Sequence, residues 1–108
     1  MGDSYVQGAC VANGELIADK IRSHFPGTLN LGMKGNGPLL NLAGLKEFGP
    51  LLKPKFVVWF FTIDNDFQDL ESELKNSFFN QYFKDDWRQN LLAHHIEIGK
   101  SLRLYLQN

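Results

Sequence analysis

The longest apolar stretch of the chain, Phe56-Val57-Val58-Trp59-Phe60-Phe61, shows no alternation of hydrophobic and polar positions. Such a run predicts a strand over 55–63 that is buried on both faces, as in a parallel sheet, with Trp59, Phe60 and Phe61 in the core. A shorter strand is predicted over 28–32, running into the glycine-rich loop Gly32-Met33-Lys34-Gly35-Asn36-Gly37. Between and after these lie helical patterns. Asn13 can cap a helix with Glu15 in its first turn; Leu16, Ile17, Ile21 and Phe25 fall at helical spacing, and Pro26-Gly27 ends it. Pro38 suits the first position of a second helix, lined by Leu39, Leu42, Ala43 and Leu45 until Gly49-Pro50 breaks it. A third helix is predicted over 67–75 and a fourth over 86–106, with Trp87, Leu91, Ile98 and Leu102 on one stripe.

Strands alternating with helices imply an α/β domain, a parallel sheet with helices on both faces. Ligand sites in such sheets lie at the carboxyl ends of the strands. Three polar segments fall at such ends: Gly2-Asp3-Ser4, the glycine-rich loop, and Thr62-Ile63-Asp64-Asn65-Asp66. A hydroxyl, a backbone amide and a side-chain amide are three components of an acyl-transfer site.

Composition narrows the picture. At 108 residues, 44% of them hydrophobic, the chain is expected to form one globular domain over 1–108; a chain of this size buries about 60–70% of its unfolded surface. The net charge of −1 gives no reason to expect nucleic acid or an anionic membrane as a partner. Cys10 stands alone and is read as a small buried residue, so neither an internal disulfide nor a thiolate metal cluster is expected. No metal-ligand spacing is present, Glu71, Glu73, Asp85 and Asp86 reading as a solvated helical surface, and no cofactor is implied. No apolar run approaches the roughly 18 residues of a membrane span. A soluble, cytoplasmic chain is the expectation, although a lost start would also remove a signal.

Gly2-Asp3-Ser4-Tyr5-Val6-Gln7-Gly8, then Asn30-Leu31-Gly32-Met33-Lys34-Gly35, then Asn65-Asp66 resemble, in order, the blocks of the SGNH (GDSL-type) hydrolases. The resemblance implies a three-layer, flavodoxin-like parallel sheet. Carried over by position, it makes Ser4 the nucleophile, and Gly35 and Asn65 the oxyanion donors through a backbone and a side-chain N–H. Asp3 then organises the Ser4 turn. The chemistry suits those roles: a nucleophile needs a tight turn that exposes Oγ, and each oxyanion donor is worth about 10²–10³ in rate.

The chain departs from the pattern in two places. Position 64 is Asp where the family usually has Gly, and the Asp-x-x-His block that supplies the base and its acid is missing. His24, His94 and His95 each lack an Asp three residues earlier and are read as helix-face or helix-end residues. The apolar strand that should precede Gly2 is represented by Met1 alone, so the sheet is expected to be incomplete. The chain is therefore a fragment of a longer product, a dimer completed by a partner, or a smaller fold. Two functions compete: an SGNH-type ester hydrolase acting on acyl or acetyl esters, inactive or weakly active as this chain stands, and a non-catalytic binding protein. The second would be a homodimer, joined through an exposed strand edge or the C-terminal helix.

Overall fold

The computed structural model describes residues 1–107; Asn108, the last residue of the expected domain, lies outside them. Five α-helices follow one another: α1 (Ser4–Gln7), α2 (Ile17–Arg22), α3 (Pro38–Leu52), α4 (Asp66–Leu74) and α5 (His95–Gln107). A 3-10 helix, Phe79–Phe83, lies between α4 and α5. No strand forms among the described residues, which overturns the expected parallel α/β sheet and its flavodoxin-like layering.

The reason lies in what occupies the slot between the two expected strands. The Met1 amine donates to the Val58 carbonyl at 2.7 Å and the Phe60 N–H donates to the Met1 carbonyl at 2.9 Å. On the other side, the Met33 N–H donates to the Gly2 carbonyl at 3.2 Å. This is the bonding pattern of a parallel ladder reduced to one step on each side. Met1 reaches only the middle of 55–63 and Gly2 only Met33, just past the end of 28–32, so neither segment gains the run of main-chain partners that makes a strand. Burial lowers the Met1 amine pKa below its ordinary value.

The 55–63 run is correspondingly not the core. Phe56 is 80% exposed, Ile63 75% and Trp59 48%, a correction to the expected double burial. It is still extended: Trp59 and Phe61 touch edge to face across one intervening residue, with ring centroids 5.4 Å apart, and Val57 lines the same hollow as Trp59. Side chains two apart on one side are the period of an extended chain.

The core sits instead where α3, α4 and the 3-10 helix meet: Leu39, Ala43 and Tyr82 are buried, with Leu42, Leu70, Phe79 and Trp87 packed on them. α3 starts at Pro38 as predicted but runs through Gly49-Pro50 to Leu52. Proline keeps a helical φ and forfeits only one main-chain bond so close to the end; Lys53, left-handed at φ 44°, closes the turn by donating to Gly49 at 2.8 Å. α2 begins after Leu16, later than the Asn13 cap suggested.

The predicted fourth helix loses its first half. Asn90 adopts a left-handed φ of 54°, and Trp87 turns inward onto Tyr82 and Phe78, with centroids 4.7 and 5.6 Å away. Packing against the core outweighs the helical stripe, and α5 starts only at His95 and buries none of its side chains.

Buried carboxylates organise this corner, and one of them corrects the reading of Glu73 as solvated. Glu73 of α4 is buried and accepts from the backbone N–H groups of Gly37, Leu39 and Leu40 at 2.8, 2.8 and 3.4 Å. Those are the free donors of the α3 N-terminus, where the capping position is a glycine without a side chain, so a residue of another helix caps it. A Cβ on Gly37 would lie 2.7 Å from Asp69 Cβ and 2.8 Å from Glu73 Cδ. Glycine there is what lets α4 approach. Glu47 of α3 accepts from the Tyr82 hydroxyl at 2.9 Å, from the Leu91 N–H at 2.9 Å and from the Gln89 N–H. It thereby holds the irregular segment that follows the 3-10 helix. Burial first, and then the Glu47 carboxylate, raise the Tyr82 phenol above its ordinary pKa, against the Gln89 amide that donates to it.

Candidate functional site

The three polar segments singled out in the sequence meet at one corner. Ser4 opens α1 and is half-buried; its hydroxyl has no hydrogen-bond partner among the described residues. Asp3, at the capping position before it, is 1% exposed and accepts from the Tyr5 N–H at 2.9 Å. The other oxygen of Asp3 accepts from the side-chain amide of Asn65, 62 residues away, at 3.1 Å. That bond joins the first block to the third.

The second block is tied to the first along its length. The Asn30 amide donates to the Val6 carbonyl at 2.8 Å while its oxygen accepts from the Gly32 N–H at 2.9 Å. Gln7 Oε1 accepts from the Lys34 N–H at 2.7 Å. Gly35, the next residue, is exposed and adopts a φ of 82°, a left-handed geometry that glycine takes without strain. Its N–H makes no hydrogen bond among the described residues, but no bond links it to Ser4 or Asn65 either.

Asn65 is differently placed. It stands at the amino end of α4, and its Nδ2 donates both to Asp3 and to Asp69 Oδ2, the latter at 3.0 Å. An amide nitrogen carries two hydrogens, so both are taken up by carboxylates. An incoming oxyanion would have to displace one of them, beside two negative charges. The buried Asn65 Oδ1 has no partner among the described residues. Asp64, the departure from the family pattern, is exposed and makes no bond to this corner.

Among the described residues no histidine side chain hydrogen-bonds to Asp3, Ser4, Gly35 or Asn65. His24 Nδ1 lies 3.0 Å from Ser23 Oγ at the end of α2, His95 Nδ1 lies 2.8 Å from the Leu92 carbonyl, and His24, His94 and His95 are all exposed. Cys10 is exposed, not buried as expected. No group of three His, Cys, Asp or Glu side chains that could hold a metal ion occurs among the described residues. No helix among them is long and apolar enough to cross a membrane.

Two open hollows lie elsewhere. One of about 580 Å³ runs along the end of α3 beside Asp85, Asp86, Trp87 and Arg88. An apolar one of about 210 Å³ lies between Met1, α3, Val57 and Trp59. Neither includes Ser4, Gly35 or Asn65.

The residues that hold the corner were not all legible as site residues. Asp69 lies four after Asn65 on a helix, the spacing at which side chains meet, and that signal was available. Nothing local marks Gln7 or Glu73, whose partners lie 27 and 36 residues away in the chain. No family model, no curated protein and no solved structure matches this chain.

Proposed function

We propose that the corner formed by Asp3, Ser4, Gly35 and Asn65 is an SGNH-type ester-hydrolase site without its base, and that this chain turns over acyl and acetyl esters little or not at all. The observation that carries the proposal is the Asp3–Asn65 hydrogen bond, which joins the third block to the first at the residue before Ser4. In this reading Ser4 Oγ is the nucleophile, Gly35 and Asn65 the oxyanion donors, and Asp3 the residue that fixes the serine turn. The low turnover follows from two features. The three histidines are exposed, with the contacts of His24 and His95 made within their own segments, and general base catalysis is worth about 10²–10⁴. The Asn65 amide is also committed to Asp3 and Asp69.

The test supplies the missing base from solution. Without additive, hydrolysis of p-nitrophenyl acetate by the unmodified chain should equal that of Ser4→Ala, and a fluorophosphonate should leave no adduct. With added imidazole, the Ser4 proton passes to imidazole as Oγ attacks the acyl carbon; p-nitrophenolate leaves, and water then releases acetate from the serine. Turnover should rise above that of Ser4→Ala under these conditions only. A stable Ser4 adduct formed without imidazole overturns the low-turnover claim; an imidazole response that Ser4→Ala retains in full overturns the site.

A further inference from the structure

We propose that the run over 55–63 pairs antiparallel with the same run of a second copy of this chain, about a two-fold axis at Trp59. The inference is independent of the ester-site reading.

The main-chain edges of this run are unequal. Val58 and Phe60 turn their carbonyl and N–H toward Met1. In an extended chain the next residues face the opposite way, so Val57, Trp59 and Phe61 direct theirs outward. The N–H groups of those three residues make no hydrogen bond among the described residues. An edge of unpaired donors and acceptors flanked by exposed apolar side chains is a template for another strand. The side chains beside it are Phe56 at 80% exposure and Val58 at 51%.

Charge selects the partner and the direction. Lys53 and Lys55 stand at the start of the run and Asp64 at its end, all exposed and none in an ion pair among the described residues. A second copy laid antiparallel brings the Lys55 end of each run to the Asp64 end of the other, with Lys55 opposite Ile63 and next to Asp64 along the chain, whereas a parallel copy sets the lysine ends together. The edge is thus complementary to itself in one orientation only.

The register follows from the pleat. Residues opposite one another in an antiparallel pair both face inward or both face outward, so the outward residues must meet one another. With Trp59 opposite Trp59, Val57 faces Phe61 and each such pair exchanges both main-chain bonds. A shift of two residues either way draws the turn after Thr62 or the lysines into the apolar pairing. A two-fold arrangement also closes on itself, leaving each copy one outer edge already occupied by Met1.

Sedimentation equilibrium of the full chain should show a reversible monomer–dimer equilibrium. Lys55→Asp alone and Asp64→Lys alone should each weaken the dimer several-fold, and the double exchange should restore it. Both residues are exposed, so these variants leave the packed corner untouched. In a Cys10→Ser background, Trp59→Cys should form a disulfide-linked dimer under mild oxidation, because facing Cα atoms stand about 5.5 Å apart. Phe56→Cys should not. A monomer at every concentration, or a dimer indifferent to both charge reversals, overturns the proposal; cross-linking through position 56 instead of 59 overturns the register.

Discussion

The junction of α3, α4 and the 3-10 helix and the run over 55–63 invert what their compositions suggest. The run has the densest apolar sequence in the chain and is largely exposed; the junction carries two glutamates and is buried. The difference is the fate of the main chain. At the junction, Glu73 and Glu47 accept from backbone N–H groups that helix formation and the irregular stretch at 89–91 leave without partners. Over 56–61, the main chain finds only Met1 among the described residues. Burying unpaired N–H and C=O groups costs more than apolar contact returns, so a hydrophobic segment without a partner strand stays near the surface. A carboxylate with several donors can go inside.

The contrast is open to three tests of decreasing size. Glu47→Ala should have the largest effect, about 3–5 kcal/mol by urea denaturation, because it strands the Tyr82 hydroxyl and two main-chain donors inside. Glu47→Gln keeps one acceptor oxygen and should lose clearly less; equal losses would show that bulk, not acceptor capacity, matters.

Tyr82→Phe should be milder, about 1 kcal/mol at neutral pH, with a sharper signature in alkali. The folded-state pKa of Tyr82 is raised above its ordinary value of 10.0. Its contribution is therefore complete below pH 10 and is lost as pH rises toward the folded-state value, since the unfolded chain releases the proton first. The stability of the unmodified chain should fall over that window more steeply than that of Tyr82→Phe. Parallel pH profiles would remove the buried phenol from the account.

Phe56→Ser should change the stability of the monomer by about 0.5 kcal/mol or less, as for an exposed site. A larger loss, measured below the concentration at which dimers form, would mean that the run is more deeply packed than its 80% exposed phenylalanine indicates.

Local signals hold for α3 and α4. Pro38 marked the start of α3, and helical spacing located α4 within a residue at each end. The three polar blocks were recognisable as one set, and the chain does gather them, through Asn30, Gln7 and the Asp3–Asn65 bond. What the letters could not convey is how that set is wired. The commitment of both Asn65 hydrogens to carboxylates depends on Asp3 arriving from the far end of the chain.

The sequence by itself determined the starts of α3 and α4, the apolar run and the order of the polar blocks, because a proline at a first helical position, periodicity and turn chemistry act over a few neighbours. Only the tertiary structure decided that no sheet forms, that Trp87 abandons a helical stripe for the core, and that Glu73 is a buried cap and not a solvated charge. Strand pairing, core packing and burial of a charge each depend on partners distant in sequence, whose arrival no local pattern encodes.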